Sequence, residues 1–262
     1  MRREHERAAG ARPGARGLQP AGAAPRDLPQ VTPRVREEWR ARIAAEYTSA
    51  AITQHLVLWL IQAGAPPDLI EAGLAIVADE LVHSRMSHEV YVAAGGTSPP
   101  ALDRDALGLH RAEAALEQDI LRVAVRVFCL GETVAVPLFR HLRERCTETA
   151  ARAALDRILR DEVRHRDFGW DLLDWLVALE DGVPERVTAE LPGMLAELEA
   201  SYGTANHAIA ADDGAMTDGE RAWGLAPPRE YAEILARTIE RDFMPRFAAR
   251  DIRVPGAAVT QV

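Results

Sequence analysis

Hydrophobic and polar positions follow a helical period from about Arg36 onward, and strand-like alternation is almost absent. The pattern therefore predicts an all-α chain. Glycine, proline and capping residues divide the first part of this pattern into four long helices. These helices are expected at residues 35–63, from 67 or 68 to about 93, at 112–146, and, with Thr147 as the N-cap, up to residue 179.

The connections between the four helices predict a bundle. The short turn at residues 64–67, with the sequence GAPP, makes the first two helices antiparallel neighbours, and the turn near Thr147 does the same for the last two. Residues 95–108 instead form a long connection with little helical signal. We therefore expect a four-helix bundle with a long crossover between the second and third helices.

The rest of the chain is divided into a tail and an extension. Residues 1–34 are rich in Arg, Ala, Gly and Pro, which is typical of a flexible tail. The bundle itself is assigned to residues 35–180, and residues 181–262 are expected to form a C-terminal helical extension that packs on it. The extension should contain two helices, at 184–203 and 227–252.

Each predicted bundle helix carries one glutamate among apolar residues. Glu132, for example, lies in the sequence FCLGETVAVPLF, where an unpaired buried carboxylate would cost several kcal/mol or lose its charge. Glu132 and Glu162 are equally far from the turn that joins their helices, and Glu46 and Glu80 are nearly so. In antiparallel helix pairs, equal distance from the turn means equal height, so all four carboxylates are expected at one level.

Two histidines complete a set of metal ligands. His83 and His165 each follow a glutamate by three positions, so that each pair shares one face of its helix. Four carboxylates and two imidazoles suit two iron or manganese ions. The alternative interpretation is a helical bundle whose charged residues are scattered over its surface. The predicted metal ligands are Glu46, Glu80, His83, Glu132, Glu162 and His165.

The two halves of the bundle also repeat one another in sequence. The segment ETVAVPLFRHL at residues 132–142 is similar to EYTSAAITQHL at residues 46–56, and DEVRHRD at 161–167 is similar to DELVHSR at 79–85. Matching hairpins of this kind would be related by a pseudo-twofold axis that passes between the two metals.

This ordered set of residues resembles the ferritin-like superfamily of di-iron carboxylate proteins, over roughly residues 36–179. The aspartate before each Glu-x-x-His is similar to the Asp-Glu-x-Arg-His motif of soluble di-iron oxygenases and acyl-carrier desaturases. The resemblance implies that Asp79 and Asp161 orient the ligand histidines and that Arg164 braces them. The first copy departs from the motif because Val82 stands where the motif has arginine.

The resemblance implies a non-haem di-iron, or iron–manganese, oxidoreductase that activates dioxygen to oxidise or hydroxylate a small organic substrate. Its cofactors would be two Fe ions, and an external electron donor would be needed because the chain has no flavin or nicotinamide fingerprint. One alternative is a ferroxidase or peroxide-scavenging protein that handles iron. A second alternative, from another class, is a non-catalytic helical interaction protein.

Charge and composition limit the binding partners and the cell compartment that we expect. A net charge of −9 disfavours nucleic acid and anionic membranes, and the longest apolar run is too short to span a bilayer. Free Cys129 and Cys146, with no export signal, favour a reducing cytoplasm. A homodimer is the default expectation for assembly.

Some residues near the predicted ligands have two interpretations. Cys129 lies one turn before Glu132 and is expected either to line a substrate cavity or to fill the core. His55 and His141 repeat but fall on the opposite helix face, where a surface or capping role is expected, whereas His88 and His110 are candidate extra ligands. Gly131 would permit a local bulge beside Glu132.

Overall fold

A computed structural model describes residues 31–98, 100–113, 115–202 and 216–254, and all the regular structure in these residues is helical. The prediction of an all-α chain is therefore confirmed for this part. A π-helical segment at Ala124–Glu132, here called the first π segment, joins α3 to α4, and another at Ile239–Phe243, the second π segment, joins α8 to α9. The α-helices are α1 Pro33–Gln62, α2 Pro67–Ala93, α3 Leu116–Val123, α4 Thr133–Arg145, α5 Thr149–Leu179, α6 Val183–Tyr202, α7 Asp218–Ala222, α8 Pro228–Thr238 and α9 Met244–Ala248.

Four long helical stretches enclose a common core. α1 packs along α2, α2 along α5, and α5 along both the first π segment and α4, while α3 returns to α1. A three-dimensional core forms between them because each stretch buries a continuous apolar face that includes Trp39, Leu56, Phe128 and Leu172. The long connection after α2 holds one 3-10 turn, at Arg104–Leu107.

Two predicted helix starts are shifted by capping. α1 begins at Pro33, two residues before the predicted start, because Thr32 caps it by accepting a hydrogen bond from the backbone N–H of Val35. The rest of the predicted tail, residues 1–30, lies outside the described residues. The prediction of Thr147 as an N-cap is wrong, since Glu148 occupies that position and the Thr147 N–H donates to the Ala222 carbonyl at 2.9 Å.

The third predicted helix begins at Leu116 and not at residue 112. The buried carboxylate of Asp119 accepts hydrogen bonds from the backbone N–H groups of Ala112 and Glu113, at 3.1 and 3.3 Å, and from the guanidinium of Arg122. These bonds hold the chain before α3 in a loop, because the same N–H groups cannot also support a helix.

The bulge predicted beside Glu132 is confirmed as the first π segment, which ends at that residue. α5 approaches this segment closely at Gly169. A Cβ atom there would lie 2.6 Å from Phe128 Cβ and 2.7 Å from the Phe128 carbonyl carbon, so only glycine fits without a shift.

The C-terminal part contains more pieces than the two predicted helices. α6 corresponds to the first of them, whereas α8, the second π segment and α9 together correspond to the second. The unpredicted α7 is started by a capping box, in which Thr217 and Glu220 bond each other's backbone N–H. α8 packs on α4, and α6 packs on the first π segment. None of the helices in the described part combines the length and the apolar character needed to cross a membrane.

Candidate metal centre

The six residues predicted as ligands come together in the centre of the four long helical stretches, and all six are buried. They form two overlapping groups, and within each group one ligand atom from every residue lies within 4.8 Å of the others. Each group could hold one metal ion. The first group is Glu46, Glu80, His83 and Glu162, and the second is Glu80, Glu132, Glu162 and His165.

The overlap gives the cluster a two-fold arrangement. Glu80 and Glu162, the glutamates of the two Glu-x-x-His pairs, belong to both groups and lie where bridging carboxylates would be required. Each group then adds its own histidine and its own single glutamate. This pattern follows from the sequence repeat, because equivalent hairpins supply equivalent side chains from opposite sides.

Four buried polar atoms in this cluster have no hydrogen-bond partner: His83 Nδ1, His165 Nδ1, Glu80 Oε2 and Glu162 Oε2. His83 Nδ1 lies 3.5 Å from Glu80 Oε2, and His165 Nδ1 lies 3.7 Å from Glu162 Oε2. A buried polar atom left unpaired costs about 1–3 kcal/mol. Oxygen-rich groups with one imidazole nitrogen each fit iron or manganese, whose binding would satisfy all four atoms.

The histidines are held by aspartates from the opposite hairpin. His83 Nε2 lies 3.1 Å from Asp161 Oδ2, and His165 Nε2 lies 3.5 Å from Asp79 Oδ2. With Nε2 donating to a carboxylate, each ring presents its Nδ1 lone pair to the glutamates. The aspartates contact the histidines as predicted, but the contacts are crossed, each aspartate serving the histidine of the other half.

Two arginines tie the aspartates to each other. Arg164 Nη2 donates to Asp79 Oδ2 at 2.7 Å and to Asp161 Oδ1 at 3.0 Å. Arg157 Nη2 donates to Asp79 Oδ1 at 2.9 Å, and its Nε donates to Asp161. Because both arginines come from α5 and reach both aspartates, α2 needs no arginine of its own, which accounts for Val82.

Sequence reasoning missed Arg157 and Ser49. Arg157 precedes Asp161 by one helical turn, a spacing at which opposite charges meet, so a signal was present. Ser49 donates to Glu80 Oε1 at 3.0 Å. It lies one turn after Glu46 on the same face of α1, but a serine at such a position has no distinctive pattern.

Burial dominates the proton affinity of three of the glutamates. It raises the pKa of Glu46 to about 7 and raises the pKa of Glu132 above its ordinary range. The pKa of Glu162 is raised well above its ordinary value by burial and then by the neighbouring carboxylate of Glu132. Burial therefore favours the protonated form of these three carboxyl groups, whereas a bound cation would favour their ionised form.

The fourth glutamate and the histidines behave as ion pairs. Burial alone would raise the pKa of Glu80, but the nearby imidazoles of His165 and His83 lower it. Burial likewise acts to lower the pKa of His83, but Glu46 and Glu80 outweigh it and raise that pKa to about 10. The neighbouring carboxylates therefore favour the charged form of the His83 imidazole, as they would favour a bound cation.

The remaining candidate residues lie outside the two groups. The buried Cys129 thiol donates to the Gly169 carbonyl at 3.2 Å, and burial raises its pKa, so the residue packs between helices; its role in a substrate cavity stays a prediction. His88 faces Tyr91, with the ring centroids 6.4 Å apart, and His110 is exposed. Neither belongs to a ligand group.

The repeated histidines both hold neighbouring segments. His55 Nδ1 accepts a hydrogen bond from the Leu109 N–H at 2.9 Å, which fixes the long crossover against α1. His141 Nε2 lies 2.6 Å from Glu230 Oε2, which fixes α8 against α4. The prediction that both lie off the ligand face is confirmed.

No family model, no curated protein and no solved structure matches this chain. The function is therefore inferred from the geometry and chemistry of the cluster.

Proposed function

We propose that this protein is a di-metal oxidoreductase with a ferritin-like bundle, which binds two iron ions, or one iron and one manganese ion, and activates dioxygen. Its substrate would be a small organic molecule that is oxidised or hydroxylated, with electrons from an external donor. The observation that carries the proposal is the convergence of four unpartnered buried polar atoms on the space shared by the two ligand groups. Without bound cations, this arrangement would only destabilise the fold.

Each residue of the cluster has a definite part in the proposal. Glu80 and Glu162 would be shared by the two ions, Glu46 and His83 would hold one of them, and Glu132 and His165 would hold the other. When bound, the ions supply the electrons and the open coordination positions for dioxygen chemistry. Asp79 and Asp161 keep the imidazoles in the tautomer that leaves Nδ1 free.

The protein also keeps water away from the cluster. Ile76, Phe128 and Ile158 each lie one helical turn before a ligand glutamate and are almost fully buried. An apolar, water-poor surrounding strengthens the electrostatic interactions at the metals and protects reactive species from side reactions. The exposed arginine end of the aspartate network faces solvent, whereas the ligand end does not.

The proposal is tested by mixing ferrous-loaded protein with dioxygen in the presence of excess ferrous ion. An oxidoreductase of the proposed kind oxidises about two irons per chain and then stops until a reductant is added. Continued oxidation of many irons per chain would support a ferroxidase instead. No uptake of iron at all would leave the non-catalytic interaction protein.

A further inference from the structure

A second candidate feature lies between α4, α8 and the second π segment, and none of its lining residues belongs to the two ligand groups. The two helices enclose an open cavity of about 510 Å³ whose walls include Arg140, Arg237 and Arg241. We call it the arginine cavity. Its floor includes Pro137 and Ile234.

The three arginines have no hydrogen bond or ion pair within the described part of the chain. Several other arginines pair with carboxylates, as Arg221 does with Glu230 at 2.9 Å and Arg250 with Asp174 at 2.6 Å. Exposed arginines elsewhere, such as Arg104, also have no side-chain partner among the described residues, so the distinctive feature is the grouping of three around one cavity. In a chain with a net charge of −9, a cavity lined by three arginines and only two carboxylates forms a local site of positive charge.

Two carboxylates reduce the positive charge of the cavity but do not cancel it, since three arginines share its lining. Glu144 and Asp242 also line it, but neither forms an ion pair with the arginines within the described residues. His141 is already bound to Glu230. The Thr238 hydroxyl donates to the Ile234 carbonyl at 2.8 Å, which leaves its oxygen free to accept but not to donate.

The backbone at the cavity is irregular in a way that favours a binding role. Arg241 and Asp242 belong to the second π segment, and such turns are frequent at functional sites. The first π segment ends at Glu132, a member of the candidate metal centre. Arg237 and Arg241 are four residues apart, a spacing that places both side chains on one side of the helical stretch, and both line the cavity.

From these observations, we propose that the arginine cavity binds the phosphate group of a small phosphorylated molecule. Guanidinium groups pair with phosphate through parallel hydrogen bonds, and three of them can engage three terminal oxygens, one more than a carboxylate offers. The cavity is several times larger than a phosphate ion and lies within the range of small-molecule sites, so it has room for an organic part as well. This site does not depend on the metals.

The test is a calorimetric titration of the full chain with phenyl phosphate at low salt, with benzoate as the carboxylate counterpart on the same ring. Phenyl phosphate is expected to bind at one site per chain and benzoate about tenfold more weakly or not at all. The titration is run on metal-free and on iron-loaded protein. Binding is expected in both, so a failure of the metal proposal would leave this result unchanged.

Charge variants locate the site. The double substitution R237Q/R241Q is expected to weaken phenyl phosphate binding by about tenfold or more. The matched control is R104Q/R253Q, which removes the same charge from two exposed positions elsewhere and should change the dissociation constant by less than about twofold. Glu144→Gln removes a negative charge that repels the phosphate from the cavity wall, so it is expected to tighten the binding of phenyl phosphate.

Three results would overturn the proposal. They are the absence of saturable binding at millimolar phenyl phosphate, equal weakening by the cavity and control substitutions, and equal or tighter binding of benzoate. Circular dichroism of each variant checks that the helices are intact, so that a loss of binding is not a loss of fold.

Discussion

Glu162 shows what the proposed metal centre requires of one side chain. It is buried, its Oε2 has no hydrogen-bond partner, and the pKa of its carboxyl is raised well above the ordinary value by burial and by Glu132. A residue kept only for stability would not be placed in this way, since buried charges are commonly replaced by neutral groups at no loss. At Glu162, the stability of the fold and the proposed metal binding therefore oppose each other.

We predict that Glu162→Gln raises the stability of the metal-free protein by about 1 kcal/mol and abolishes loading of the metal pair. The amide keeps the shape of the side chain but removes the cost of a buried carboxylate among other carboxylates. Denaturant unfolding and metal analysis measure the two effects. The control is Glu89→Gln on the exposed side of α2, which should change neither, and a destabilised E162Q protein with normal loading would contradict the prediction.

Arg157 is the residue that best tests the aspartate network. Arg157→Gln is expected to weaken metal affinity by about tenfold, because partners beyond the ligands commonly contribute that much by orienting them. Cobalt titration, followed by the absorption of the bound ion, measures the affinity directly. Arg160→Gln on the same helix is the control, since Arg160 is 65% exposed and lies 3.6 Å from Asp161. Equal effects of the two substitutions would remove the special role of Arg157.

Single positions differ in how far the sequence could predict them. The spacing of Glu80 with His83, and of Glu162 with His165, places each pair on one helix face by helical geometry alone, so these faces follow from the sequence. The crossed contacts of the aspartates do not, because they depend on how one hairpin meets the other. Arg157 has a local signal toward Asp161, but its second bond, to Asp79, is also a contact between hairpins.

Among the helices, the first π segment has the clearest structural consequence. It packs closely against α5 at Gly169, where the two backbones are too close for any side chain. The same two elements carry Glu132 and Glu162, so the glycine sets the distance between two members of the cluster.

Gly169→Ala is predicted to destabilise the protein by about 2–3 kcal/mol, because the added methyl group must push α5 away from Phe128. Urea unfolding measures the loss, and metal content should fall as the helices separate. Gly193→Ala in α6 is the matched control: a Cβ there meets nothing within 4 Å, and alanine favours the helix, so stability should rise by up to about 1 kcal/mol. A neutral G169A would show that α5 can move freely at this point.

Helix ends show which sequence signals are decisive. The turn at residues 64–67 was predictable because Gly64 adopts a positive φ of 71° and Pro67 opens α2. The start of α3 was not, since Asp119 binds the preceding backbone from within the helix that follows. α7 was not predicted because five residues are too few to show a helical hydrophobic period, although its capping box is present in the sequence.

For the molecule as a whole, the C-terminal part is joined to the central helices by a buried or half-buried polar trio. Glu230 of α8 accepts hydrogen bonds from Arg221 of α7 and lies beside His141 of α4. Arg221 lowers the pKa of Glu230 to about 2, against the opposing effect of burial and with the help of His141. The carboxylate form therefore stabilises the folded state.

Because the folded pKa of Glu230 is lower than the ordinary value of about 4.3, its contribution is complete above that pH and is lost as the pH falls toward about 2. Glu230→Gln is predicted to cost about 1 kcal/mol at pH 7, a low value for bonds to a charged group because the trio is partly exposed. The difference in the free energy of unfolding between E230Q and the wild type should shrink between pH 5 and pH 3, as measured by urea unfolding at each pH.

Asp156→Asn serves as the control for this pH dependence. Asp156 pairs with Arg143 at an exposed position, so its loss should cost less than about 0.5 kcal/mol at every pH. The prediction is contradicted if wild type and E230Q differ in free energy of unfolding by the same amount from pH 7 to pH 3. The Glu230 carboxylate would then not be what joins α8 to α4.

The central claim is that the buried cluster holds two metal ions, and it is tested most directly by counting them. The full chain is loaded with ferrous ion without oxygen, freed of excess metal and analysed for iron, beside an E80Q/E162Q variant that lacks both shared carboxylates. We predict about two irons per wild-type chain and almost none in the variant. Less than about half an iron per wild-type chain, or equal iron in both proteins, would contradict the claim.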